Sequence, residues 1–161
     1  MKTICLYFEI HQIIHLKRYR FFDIGIDHYY YDDYENERSI TEIAERSYMP
    51  ALNTLGDMIK ENNGLFKVAF SISGVGMEQL EMHAPQVIAK LQELNETGCV
   101  EFLAEPYSHG LSSLANEEAF AADVKKQCKK MKDYFGKEPT VLRSSTTYAR
   151  HCSCASSHTS P

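Results

Sequence analysis

The stretch "VEFLAEPYSHGLSSL", residues 100–114, runs apolar and then presents Glu105, Pro106, Tyr107 and His109 in five residues. A carboxylate delivered at the end of an apolar strand and stiffened by the following proline suits a nucleophile or a general acid/base, which needs a fixed position more than it needs solvent. The plainer reading is a strand that simply enters a solvent loop, so the rest of the chain has to decide. Other polar groups follow other apolar runs. His11 and Gln12 come after "TICLYFE", Ser73, Gly74 and nearby Glu78 after "KVAFSIS", and Arg143 falls in "TVLRS". A lone strand-end histidine is commonly structural, but several such groups on one rim point to a site.

These runs read as strands over 3–9, 67–73 and 99–104, with a fourth, weaker one from Thr140. Each is short, β-branched or aromatic, and without helical period. Helices separate them. Ser39 and Glu42 read as a capping box opening a helix that Pro50 divides and Gly64 closes. Pro85 and Gly98 bracket a second helix, and Asn116 and Gly136 a third. Strands alternating with helices predict an α/β fold with a parallel sheet and right-handed crossovers, and such sheets carry their sites beyond the strands' carboxyl ends.

Between the first strand and its helix lies "RYRFFDIGIDHYYYDDYENE", too aromatic for disorder and long for an idle loop. Tyr29, Tyr30 and Tyr31 could stack on sugar faces or merely cover the fold. With 17 Lys and Arg against 22 Asp and Glu, the net charge of −5 argues against a general nucleic-acid or anionic-membrane surface. The amino terminus lacks a signal-peptide cleavage pattern, no run approaches a membrane span, and Cys5, Cys99 and Cys128 stand singly in apolar or helical patterns, which together predict a cytoplasmic protein.

Taken in order and spacing, "LYFEIHQ", "FSISGVGMEQL" and "VEFLAEPY", with "LKRYRFFDIG" and "DHYYYDDY", resemble the first sequence regions of glycoside hydrolase family 57 over about residues 3–143. The resemblance implies a parallel β/α barrel of the (β/α)7 type, of which residues 1–143 supply about the first four strands. It implies retaining double displacement on α-1,4-linked glucans, by hydrolysis or transglycosylation, with an α-glucan or maltooligosaccharide as partner, and neither metal nor cofactor. By the same resemblance Glu105 matches the catalytic nucleophile, His11 a substrate-contacting histidine, and Glu78 a glutamate at the edge of the site. Ile13 and Pro106 depart from the usual proline and threonine of the family's motifs, and neither change removes a reacting group. Tyr107, His109 and Tyr30 are candidate substrate neighbours, and Tyr107, His109, His11 and Arg143 candidate stabilisers of the Glu105 charge.

The family's general acid is an aspartate from a later region, and no residue after Arg143 is acidic. From Ser144 the composition turns to Ser, Thr, Cys and His, which predicts a disordered tail over 144–161, read as an out-of-frame or gene-end replacement of the true continuation. His151, Cys152, Cys154 and His158 fit no familiar structural-zinc spacing. The alternatives are a non-catalytic truncated barrel that at most binds glucan, and a polysaccharide deacetylase-like enzyme, which would want an aspartate and paired histidines at strand ends.

Overall fold

A computed structural model describes residues 4–110 and 116–143. Three strands, β1 (Tyr7–Ile10), β2 (Val68–Ile72) and β3 (Val100–Leu103), form a parallel sheet in the order β1-β2-β3. Tyr7 pairs with Ala69 and Ile10 with Ile72, and Val68 pairs with Val100 and Ser71 with Leu103. The fourth run begins to extend this sheet: Ala104 N–H donates to Val141 O (2.8 Å) and Arg143 N–H to Ala104 O (2.9 Å), a parallel bridge between Ala104 and Leu142.

Strand alternation sorts the sheet into two faces. Phe8, Phe70 and Phe102 lie on one, their ring centroids 5.7 and 6.3 Å apart in succession, and Phe102 stacks at 4.0 Å on Phe135 of the last helix. That face buries the core, with Ile72, Met77, Leu80, Val87, Leu91 and Met131 all at most 1% exposed. Tyr7, Glu9, Ser71, Leu103 and, two residues past the strand, Glu105 share the opposite parity.

Among the described residues, five α-helices cover the core face: α1 (Asp33–Ile43), α2 (Met49–Glu61), α3 (Gly74–His83), α4 (Pro85–Glu96) and α5 (Glu117–Phe135). Asn116 caps α5 by accepting from Ala119 N–H at 3.1 Å, and Gly136 ends it in the left-handed region at φ 73°. A π-helical turn at Ala44–Tyr48 joins α1 to α2, and Pro50, with no N–H to leave orphaned, sits in the first turn of α2.

Two expectations are corrected. The first helix opens at Asp33, where Asp32 accepts from Glu35 N–H (3.1 Å). Asp32 outcompetes Ser39 because it stands before an acidic first turn, and Ser39 instead lies inside α1 with its hydroxyl 3.3 Å from His15 Nε2. Second, the sequence reading opens the helix after the second strand at Pro85, whereas α3 already runs from Gly74 to His83 before it. Its two glycines hid it, and five of its ten residues are buried, which erases the amphipathic period. The tail from Ser144, with its cysteines and histidines, lies outside the described residues. No helix among the described residues is long and apolar enough to cross a membrane.

Candidate active site

The site is assembled from the carboxyl ends of β1, β2 and β3. Glu105 is 1% exposed, although its neighbours in sequence lead to a surface loop. Ser71, at the end of β2, donates its hydroxyl to Glu105 Oε2, while Glu105 Oε1 is buried with no hydrogen-bond partner. Burial pushes the Glu105 carboxyl up to about 7; the Glu9 charge adds to the rise, and the Ser71 hydrogen bond and Arg143 oppose it. A carboxylate with one oxygen anchored and the other free is oriented to attack along a single direction.

His11 follows β1 and pairs through Nδ1 with Ser73 Oγ at 2.7 Å. Ser73 also accepts from Gly76 N–H (2.9 Å), capping α3. The close seat of α3 against β1 needs a glycine, since a Cβ at Gly76 would lie 2.9 Å from Ser73 Oγ and 3.3 Å from Ile10 O. The imidazole of His109 stacks on His11 with centroids 4.0 Å apart and planes 13° from parallel. His109 reaches this position through a left-handed backbone (φ 51°), a conformation uncommon for non-glycine residues and frequent at functional sites. Burial, followed by repulsion from His109, lowers the His11 pKa and favours its neutral ring; Glu9 works the other way.

Glu9 completes the group. Its Oε1 lies 3.3 Å from His109 Nε2 and its Oε2 3.5 Å from Arg143 Nη1, while the Arg143 guanidinium sits 3.7 Å above the Tyr7 ring. Of the residues singled out in the sequence, the fold therefore brings Glu105, His11, His109 and Arg143 together. Tyr107 and Glu78 make a separate pair: Tyr107 donates its hydroxyl to Glu78, Lys126 Nζ lies 3.6 Å from the Tyr107 ring centre, and Lys130 Nζ lies 3.9 Å from Glu78 and 3.1 Å from Glu81. Burial, then the hydrogen bond to Glu78, raises the Tyr107 pKa. Tyr30 packs against Tyr19 within the loop after β1, ring centroids 4.9 Å apart and planes tilted by 34°, about half exposed, and among the described residues its ring and hydrogen-bond partners lie outside the Glu105 group.

Two site residues escaped the sequence reading. Glu9 is an acidic residue inside an otherwise apolar strand, a signal that the strand assignment absorbed. Gln127 is 0% exposed on α5: its Oε1 accepts from Glu105 N–H (3.4 Å), and its Nε2 donates to Ile72 O (3.0 Å) and Leu103 O (3.5 Å). It occupies a position of the apolar stripe Phe120, Val124, Met131 and Phe135, and a polar residue at such a position is the mark that could have found it.

Tyr107 is seated against bare backbone. A Cβ on Gly74 would fall 2.0 to 2.3 Å from three Tyr107 ring carbons. Tyr107 is 5% exposed and tethered at its hydroxyl, so the ring has little room to withdraw. Gly74→Ala is expected to cost about 2–3 kcal/mol by overpacking, measured by chemical denaturation; a loss below about 0.5 kcal/mol would show that the loop after Glu105 yields freely.

The family model described as glycosyl hydrolase family 57 matches residues 5–148. A Methanocaldococcus jannaschii protein described as "Putative alpha-amylase" is 34% identical over 115 residues, which is 71% of this chain and 24% of that protein. Among solved structures, a 4-alpha-glucanotransferase from Thermococcus litoralis superposes with a TM-score of 0.61 at 16% identity, over 84% of this chain and 18% of that one. A family 57 branching enzyme from Thermococcus kodakaraensis gives 0.57 at 15%, over 87% and 32%. Its counterpart from Pyrococcus horikoshii gives 0.54 at 17%, over 87% and 34%. At these identities the structural likeness speaks for the fold, and the chain spans about a quarter of the length of the curated relative it matches.

Proposed function

The chain belongs to glycosyl hydrolase family 57, and from that premise we propose that it carries the nucleophile of a retaining α-glucan hydrolase or transglycosylase acting on α-1,4-linked glucans. The observation that carries this reading is Glu105: a buried carboxylate at a strand's carboxyl end with one oxygen held by Ser71 and the other unpartnered. In the proposed step that free oxygen bonds to the anomeric carbon as the bond to the leaving oxygen breaks, and water or a second sugar hydroxyl later displaces the carboxylate. His11 and His109 form one wall for the sugar, and Arg143 tempers the charge between the two glutamates. Glu78 and Tyr107 brace that wall from the α3 side, and Tyr30 offers a face to sugars further out. The sheet is proposed as the first part of a (β/α)7 barrel over residues 1–143, with 144–161 as an appended tail, in a cytoplasmic protein.

Retention needs a second carboxyl about 5–5.5 Å from the first. Glu9 is the carboxylate close to Glu105, but it is engaged by Arg143 and His109, which suits a charged neighbour better than a proton donor. We therefore assign the general acid to sequence outside residues 1–143.

A glycosyl fluoride tests the nucleophile without that acid, because fluoride leaves unprotonated. Incubating the chain with a 5-fluoro-α-glucosyl fluoride is expected to add one glycosyl group to the intact mass, mapped to Glu105, and Glu105→Gln is expected to remain unlabelled. Labelling elsewhere, or equally in the variant, overturns the assignment. Calorimetric binding of maltooligosaccharide with no label on any residue would favour the non-catalytic glucan binder.

A further inference from the structure

Three donor groups from three segments meet beside the strand ends: the carboxylates of Glu9 and Glu105 and the imidazole of His109, with their donor atoms all within 4.8 Å of one another. The separation of two of them is that of metal ligands. His109 Nε2 and Glu9 Oε1 are 3.3 Å apart, and the edge of a tetrahedron built on zinc bonds of about 2.0–2.2 Å is about 3.3–3.6 Å.

An independent observation points the same way. Glu105 is 99% buried, yet its Oε1 has no partner. Native interiors rarely leave such atoms unsatisfied without a ligand to meet them. The ligands are also oriented by neighbours, as metal ligands usually are: Ser71 holds the other oxygen of Glu105, and His11 stacks on His109. Arg143, the competing cation, sits against Oε2 of Glu9 and leaves Oε1 to the cluster.

We propose that Glu9, Glu105 and His109 form a binding site for a zinc-class divalent ion, open at a fourth position. One nitrogen and two carboxylate oxygens with a vacant position suit zinc, whereas magnesium and calcium take shells dominated by more oxygens. Binding itself stands apart from the glucan reading. Its consequence, that the ion and a sugar exclude one another at Glu105, rests on it.

The test is calorimetric titration of the full chain with zinc chloride, with X-ray absorption of the loaded protein. Every arm carries His151→Ala, Cys152→Ser, Cys154→Ser and His158→Ala, so that these tail residues cannot supply the site. The expected result is one ion per chain with a nitrogen and oxygen shell, weakened at least about tenfold by Glu9→Gln and by His109→Gln, each with unchanged circular dichroism, and much weaker uptake of magnesium. Sulfur in the shell, no binding at all, or affinity indifferent to either substitution overturns the site. Zinc failure with intact glycosyl labelling of Glu105 leaves the hydrolase reading standing, and labelling failure with intact zinc binding does the reverse.

Discussion

Glu105→Gln is expected to abolish glycosyl labelling and, at the same time, to make the folded chain more stable above neutral pH. If Glu105 is the nucleophile we propose, its removal costs at least about a thousandfold in rate, because the amide neither carries the charge nor forms the ester. The stability effect follows from linkage. Burial raises the Glu105 carboxyl from 4.5 to about 7 in the folded chain. Between those two values the folded state holds a proton that the unfolded state has released, so stability falls as pH rises through that window. A shift of that size corresponds to at most about 3 kcal/mol, all of it lost by about pH 8 and none of it by about pH 4. Glutamine can still accept from Ser71 and has no charge to desolvate. Urea denaturation at about pH 8 should therefore show the variant about 1–3 kcal/mol more stable than the parent, with the difference closing toward pH 4. A variant less stable than the parent at pH 8 would mean that Glu105 ionises freely in the fold, and the account of its burial would fail.

The reason Glu105 could be singled out from sequence, and the groups packed around it could not, is physical. Its strand is a short apolar run ending in a carboxylate, and the other strands repeat that pattern, so a parallel sheet with polar groups on one rim follows from period and punctuation alone. His11 and Arg143 fall to the same rim by the same logic. Glu9 was legible only as a strand residue, since strand parity puts it beside Glu105 once the register Ser71 to Leu103 is known, and register is set by crossovers that local sequence does not encode. The His109 contact needed a left-handed residue in a loop, which no pattern announces. α3 was hidden by being buried nearly all round. Glu78 looked like a rim residue because it closely follows a strand, but α3 carries it to Tyr107 and Lys130 instead.

Gln127→Leu is the second large effect, and it separates support of the proposed nucleophile from chemistry at that carboxylate. One fully buried amide serves three main-chain groups at the ends of β2 and β3, accepting from Glu105 N–H and donating to the carbonyls of Ile72 and Leu103. Leucine nearly fills the same volume but satisfies none of them, and each buried group left without a partner costs about 1–3 kcal/mol. The two carbonyl contacts differ in length, and the longer one contributes less, so the expected loss is about 3 kcal/mol in urea denaturation. Because the bond to Glu105 N–H fixes where the carboxylate leaves the strand, glycosyl labelling at temperatures where the variant is folded should also slow by about tenfold or more. A loss under about 1 kcal/mol with unchanged labelling would show that the strand ends hold Glu105 without help from α5. A loss of stability with unchanged labelling would make Gln127 a structural plug alone, and a parallel loss of both identifies it as the residue through which a helix on the core face sets the aim of a carboxylate on the opposite face.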